Sequence, residues 1–166
     1  IDLRPEEIAA RNTIGHWETD NVIGKISDRS ALSVSTERLT RLTIISKLKD
    51  KTAAEKTGAL ITRLETFPKK VRVTVTADNG KENSYHLQIT EELKMAVFFC
   101  HAYHSWEKGT VENTNGRIRR YIPKGASIDG ISRKQIAQIE YRLNNTPRKC
   151  LGYLTPYEKM VEVLSS

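Results

Sequence analysis

Glu112 has an unusual setting. The stretch from His104 to Gly125, HSWEKGTVENTNGRIRRYIPKG, surrounds its carboxylate with Lys108, Arg117, Arg119, Arg120 and Lys124, and with the amides of Asn113 and Asn115. A carboxylate among so many cations is explained if it meets a divalent metal ion and phosphate together. Two further acids stand in odd local sequence. Asp20 falls in the middle of HWETDNVIG, whose alternation reads as a strand. An Asp there has poor strand propensity and a desolvation cost, which a bound metal ion would offset. Asp78 follows the β-branched run VRVTV at Ala77-Asp78-Asn79-Gly80. Metal-assisted phosphodiester chemistry needs hard oxygen ligands for the cation and positive groups for the phosphates. Each acid also has a plainer reading. Asp20 could face solvent, Asp78-Asn79-Gly80 could be only a turn, and Glu112 could pair with Lys108 one helical turn before it.

The elements that must bring these acids together can be read from periodicity. His16 to Gly24 alternates, with Glu18, Asp20, Val22 and Gly24 on one face. Ala31 to Ser35 and Leu42 to Leu48 are β-rich, with a turn at Asp28-Arg29-Ser30 and a polar connection from Thr36 to Arg41, which suggests an antiparallel meander. Thr52 to Glu55 has the form of a capping box, opening a helix that Pro68 ends. Val71 to Thr76 reads as a strand, Ser84 to Lys94 as a helix, and Ala96 to Cys100, apolar throughout, as a buried strand. The Glu112 helix is expected to run to about Tyr121 and stop at Pro123. Ser132 to Gln135 caps another helix, ended by Asn144-Asn145-Thr146-Pro147, and LGYLTPYEKMVEVL closes the chain with a turn and a short helix. This order implies an α/β fold with a mixed five-stranded sheet and helices on both faces.

At 166 residues the chain suits a single domain with a real core. Residues 1–13 read as a linker remnant and 14–166 as the domain proper. The net charge is +7, and +5 of it lies in residues 101–166. That concentration marks an electrostatic footprint for nucleic acid. Two cysteines in no motif suggest no disulfide framework. No apolar run approaches a membrane span and the first residues do not resemble a signal peptide, so a cytoplasmic location is expected.

Three blocks, GHWETDNVIGK around Asp20, TADNGKEN around Asp78 and YHSWEKGTVENTNGRIRRYIPKG around Glu112, resemble the signatures of DDE transposases of bacterial insertion sequences. The family named for insertion sequence thirty is the nearest in pattern, within the retroviral-integrase-like superfamily. The resemblance covers about residues 14–160, and the 33 residues between Asp78 and Glu112 suit that superfamily. It implies a ribonuclease H-like fold. It implies that Asp20, Asp78 and Glu112 form a catalytic triad holding two divalent ions, Mg²⁺ with Mn²⁺ able to substitute. The implied activity is hydrolysis at transposon ends followed by transfer of the 3′-hydroxyl into target DNA, in a homodimer or larger assembly. His104-Ser105 and Asn83 depart from the usual pattern, and neither is a metal ligand. The family's N-terminal helix-turn-helix region is not in this chain.

Helical spacing aligns Lys108, Glu112, Asn115, Gly116 and Arg119 on one stripe if the helix begins early enough, a DNA-facing stripe on which Lys108 and Asn115 are expected DNA contacts. Gly116 would let DNA backbone approach, and Arg119 would contact phosphate beside the metal ions. Arg117, Arg120 and Lys124 would track the backbone without reading sequence, or be no more than solvated charges. Trp106 either stacks on DNA or anchors its loop, and Asn79 either orients a carboxylate or meets DNA. The loop before Glu112 is expected to move without DNA, with Glu112 turned away from the other acids. Cys100, His101 and His104 hint at zinc but lack a fourth ligand. Glu82 rivals the triad as a metal ligand, though a helix start also explains it. Two other readings compete: a non-catalytic DNA-binding or inhibitory transposase fragment, and a different ribonuclease H-like nuclease, which the GTVENTNG block disfavours.

Overall fold

The computed structural model describes residues 2–81, 84–102 and 104–166. Glu82 and Asn83 lie outside the described residues, and with them the question of a rival metal ligand. Alternation along His16–Ile23 (β1) sends Trp17 to one side of a sheet and Val22 to the other, and both are buried. Ala31–Glu37 (β2) and Thr43–Leu48 (β3) continue from β1 as an antiparallel meander. Thr74–Ala77 (β4) then pairs with β1 in parallel, and Ala96–Phe99 (β5) with β4 in parallel, giving the order β3-β2-β1-β4-β5. Parallel neighbours need crossovers. Two helices lie in these connections, Ala53–Leu64 (α2) before β4 and His86–Leu93 (α3) before β5; a short helix, Glu6–Ala9 (α1), precedes the sheet. The mixed five-stranded sheet expected from the sequence is the one observed.

Gly109–Ile118 (α4), Arg133–Asn144 (α5) and Pro156–Ser165 (α6) complete the chain. Leu60, Ile61 and Leu64 of α2 and Ile89 and Leu93 of α3 bury Trp17, Ile44 and Val75 on one sheet face. Val111 and Ile118 of α4 and Ile136, Ile139 and Leu143 of α5 bury Val22, Leu32, Val34 and Ile45 on the other. Each such side chain contributes about 1.5–3 kcal/mol on full burial. Trp17 is fully buried and its indole N–H donates to the Val71 carbonyl at 2.7 Å.

Local signals had physical outcomes of their own. The Ser132/Gln135 capping box forms in full, and Thr155/Glu158 forms a second one with Pro156 in the first turn. At Thr52 only half forms: Thr52 accepts from the Glu55 N–H, while Glu55 turns to the Lys49 N–H and Asp50 takes the N–H of Thr52. The strand at Ala96–Phe99 is not buried as its apolar run suggested. It is the sheet edge, with Ala96 exposed and Val97, Phe98 and Phe99 half-buried. The lead touches the core: Ile8 is buried, its carbonyl accepts from Arg38, and Arg4 reaches the Thr76 hydroxyl. Among the described residues no helix is long and apolar enough to cross a membrane.

Candidate active site

The parallel register of β1 and β4 aligns Glu18 with Thr76. Extending it by two residues puts Asp78, just past the end of β4, level with Asp20. Both acids therefore emerge side by side on one sheet face. Between them lies the ammonium of Lys108, 2.8 Å from Asp78 Oδ2 and 3.4 Å from Asp20 Oδ1, with the Thr19 carbonyl at 3.3 Å. Lys108 is 1% exposed. Burial alone would lower its pKa, but Asp20 and Asp78 outweigh that and raise it, so the side chain stays charged at neutral pH.

Helix α4 is docked against this pair by a residue that sequence reasoning passed over. Glu18, fully buried on β1, accepts the backbone N–H groups of Thr110 and Val111 at 2.8 and 2.9 Å. These are two of the donors that a helix N-terminus leaves unpaired. The other oxygen of Glu18 pairs with buried Arg38 at 2.8 Å. Glu18 and Asp20 share a strand face, so the same strand that carries one acid anchors the helix that carries another. Asn115, one turn beyond Glu112, donates its amide N–H to Asp20 Oδ2 at 2.8 Å and so orients that carboxylate.

Glu112 is half-buried in the first turn of α4. Its carboxylate does not close on the other two. Among the described residues the one trio of His, Cys, Asp and Glu ligand atoms within 4.8 Å of one another is His101, His104 and Glu107.

No protein-family model matches the chain, but curated relatives do. The transposase for insertion sequence element IS4351 of Bacteroides fragilis is 42% identical over 165 residues, 99% of this chain and 50% of that protein. The transposase InsI for insertion sequence element IS30A of Escherichia coli (strain K12) is 36% identical over 158 residues, 95% of this chain and 41% of that protein. The catalytic core domain of BIV integrase superposes with a TM-score of 0.68 at 18% identity, covering 91% of this chain and 96% of that one. A simian T-cell lymphotropic virus intasome chain gives 0.71 at 16% identity, covering 88% and 54%. The chain is similar in sequence to insertion-sequence transposases and in fold to an integrase catalytic core. Its fold is ribonuclease H-like, and its sequence relatives are insertion-sequence transposases, as the three blocks implied. It spans about half the length of the curated relatives it matches.

The expected DNA-facing stripe is broken at its start. Lys108, expected among the DNA contacts, is buried between Asp20 and Asp78. It is the residue before α4, with non-helical φ −118° and ψ 34°, so it leaves the stripe and enters the sheet face. Arg119 is half-buried and donates to the Ile23 carbonyl at 2.9 Å, while its Nη1 has no partner among the described residues. Gly116 is exposed, and an added Cβ would meet nothing within 4 Å, so no protein packing requires glycine there. Arg120 and Lys124 are exposed, and Arg117 is half-buried. The helix itself ends at Ile118 rather than Tyr121, because the next residues tighten into turns such as Tyr121 N–H to the Ile118 carbonyl.

The approach to α4 is a hydrogen-bonded knot. The ring nitrogens of His101 lie 2.9 Å from Glu107 and 3.0 Å from Asp2, and Glu107 also accepts the His101 backbone N–H. Hydrogen bonds from Glu107 and then Asp2 raise the His101 pKa. Both ring nitrogens face carboxylates, so a metal ion would reach the ring only by displacing one of them. Cys100 is outside this trio, and burial pushes its thiol up to about 11. Trp106 does not anchor the loop in the core: it is 67% exposed and stacks on His104 with ring centroids 4.4 Å apart.

The residues fit a divalent cation on one direct observation: two carboxylates already share a positive nitrogen. Asp20 and Asp78 offer oxygen donors suited to a hard cation such as Mg²⁺ or Mn²⁺. Lys108→Met tests whether the ammonium stands where such a cation would. Without metal, the variant is expected to lose about 1–3 kcal/mol, since two neighbouring carboxylates are left uncompensated. Added Mn²⁺ should then raise its Tm more than it raises that of the unaltered chain, by binding linkage. Equal Mn²⁺ shifts in thermal denaturation would mean that Lys108 and the metal ion do not compete.

Proposed function

We propose that this domain is the catalytic core of a DNA transposase, a nuclease and strand transferase in which Asp20, Asp78 and Glu112 are the catalytic carboxylates. What carries the reading is the Asp20–Asp78 pair around one cationic nitrogen, where β4 ends beside the parallel β1 and the helix bearing Glu112. Divalent ions, Mg²⁺ or Mn²⁺, would supply nucleophile activation and stabilisation of the leaving oxygen when bound. The chain's own residues prepare that chemistry. Asp20 is held in orientation by Asn115. Glu18 keeps the start of α4 against β1. Lys108 neutralises two acids that would otherwise repel.

In the first reaction a water oxygen attacks phosphorus at the transposon end, and the bond from phosphorus to the 3′-oxygen breaks. That oxygen departs as the 3′-hydroxyl and leaves a 5′-phosphate on the flanking strand. In the second, the 3′-hydroxyl attacks a target phosphate and displaces the 3′-oxygen of the target strand. Arg120 and Lys124, both exposed, are suited to phosphate, as are the half-buried Arg117 and Arg119 on other sides of the same segment, and Gly116 leaves the helix surface low where backbone would pass. Two transposon ends must be held together, so the active complex is a homodimer or larger on DNA. One fold neighbour is, by its name, part of a simian viral intasome.

Crystals soaked in Mn²⁺ test the reading without relying on turnover. Anomalous peaks are expected among Asp20, Asp78 and Glu112. Peaks confined to the His101–Glu107 knot, or none at millimolar metal, would remove the metal-dependent mechanism.

A further inference from the structure

A second positively charged feature lies on the other flank of α4. Successive helix residues are about 100° apart, so Asn113 and Arg117 face away from the Glu112–Asn115 side. There a cleft of about 270 Å³ is lined by Arg11, Arg41, Asn113, Thr114, Arg117 and Arg148, with no acidic residue in its walls. The four arginines come from four separate segments: the lead, the β2–β3 turn, α4 and the stretch after α5. Arg148 is 7% exposed. One of its nitrogens donates to the Leu143 carbonyl at 2.8 Å, while Nε and Nη1 have no partner among the described residues. A buried guanidinium left so is costly unless something outside the fold compensates it. Burial, and then Arg117, also hold its pKa below the ordinary arginine value.

Arg41 adds a second independent sign. It sits at φ 63°, a left-handed position where Gly or Asn would be at ease. Its Nη1 donates to the Thr110 hydroxyl at 3.0 Å, which draws the side chain to the cleft. A chain needing only a basic surface would gain nothing from converging like charges on a buried arginine.

We propose that this cleft is a phosphate-binding site that seats one backbone phosphate of a nucleic-acid strand. Guanidinium forks match phosphate oxygens, the Thr110 hydroxyl and the Asn113 amide stand beside them as donors, and the volume takes a phosphate with its adjoining sugar. The choice of nucleic acid rests on the transposase reading. The cleft shares α4 with Glu112, so a strand anchored here bears directly on the helix that carries the third carboxylate.

The test is binding of this chain to a labelled duplex in EDTA across a salt series. Arg11→Gln with Arg41→Gln leaves Arg148 and the fold in place. That double variant should bind several-fold more weakly and lower the slope of log K against log salt by about 0.9, the loss of one phosphate contact. Lys51→Gln with Lys69→Gln, which removes equal charge from exposed positions elsewhere, should leave the slope unchanged. In parallel, inorganic phosphate should shift the amide resonances of Thr110, Asn113 and Thr114 in the unaltered chain and not in the Arg11/Arg41 variant. Phosphate shifts with an unchanged DNA slope would overturn the nucleic-acid source and assign the cleft to free phosphate. An unchanged slope with no shifts, or an equal fall in the lysine control, overturns the site. If the unaltered chain binds no duplex at all, the transposase reading fails, and the phosphate titration still decides the cleft.

Discussion

Asp78→Asn is expected to cut Mg²⁺-dependent cleavage of element-end DNA by about 10³-fold or more, and to leave duplex binding within about twofold. The substitution keeps the shape and removes one negative charge. Charge stabilisation of this kind is worth several kcal/mol, and each 1.36 kcal/mol is tenfold in rate. The fold should tolerate it. The Asp78 side chain is 48% exposed, and an amide oxygen can still accept from Lys108, which keeps Asp20 at 3.4 Å. The measurement is strand cleavage by the full-length protein on a labelled duplex, with binding followed separately in EDTA. An undiminished cleavage rate would take Asp78 out of the mechanism. Loss of binding in proportion to cleavage would instead make Asp78 a structural residue.

Glu18→Gln is expected to be the most destabilising of the conservative single changes near the site. Glu18 is the only carboxylate that Arg38 pairs with among the described residues, and Arg38 is 3% exposed. Removing one member of a buried pair strands the other, at about 3–5 kcal/mol. For a domain of this size that corresponds to a fall in Tm of roughly 6–20 °C. Both N–H bonds from Thr110 and Val111 fall on one oxygen, which the amide can keep while its NH2 replaces the oxygen at Arg38, so Glu18→Ala should cost more than Glu18→Gln. Glu162→Gln, at an exposed ion pair with Lys159, should stay within about 0.5 kcal/mol. Thermal and urea unfolding check both. A Glu18→Gln variant as stable as the Glu162 control would show that the α4 start does not depend on this carboxylate.

These two residues mark different degrees of legibility. Asp78 was conspicuous because a lone acid ended a β-branched run before Asn-Gly, and the same local oddity singled out Asp20. Glu18 stood two residues from Asp20 on the same alternating face, yet nothing local distinguished it from a solvent-facing strand acid. Its partners are backbone N–H groups 92 and 93 residues away. Glu107 was passed over for the same reason, since its role depends on His101 folding back onto it. The Ala96–Phe99 run was legible as a strand but not as an edge, because strand position is a property of the whole sheet.

By itself the sequence determined the periodic elements, the mixed sheet, the transposase resemblance and the three acids in unusual contexts, all of which rest on local patterning. Only tertiary structure decided where Lys108 goes. A non-helical backbone just before α4 turns it from the DNA-facing stripe into the gap between Asp20 and Asp78, and that gap exists only because β1 and β4 lie in parallel register. The arginine cleft is a tertiary product for the same reason. Arg11, Arg41, Arg117 and Arg148 carry no shared motif, and what defines the site is the convergence of four distant segments on a space with no counter-charge.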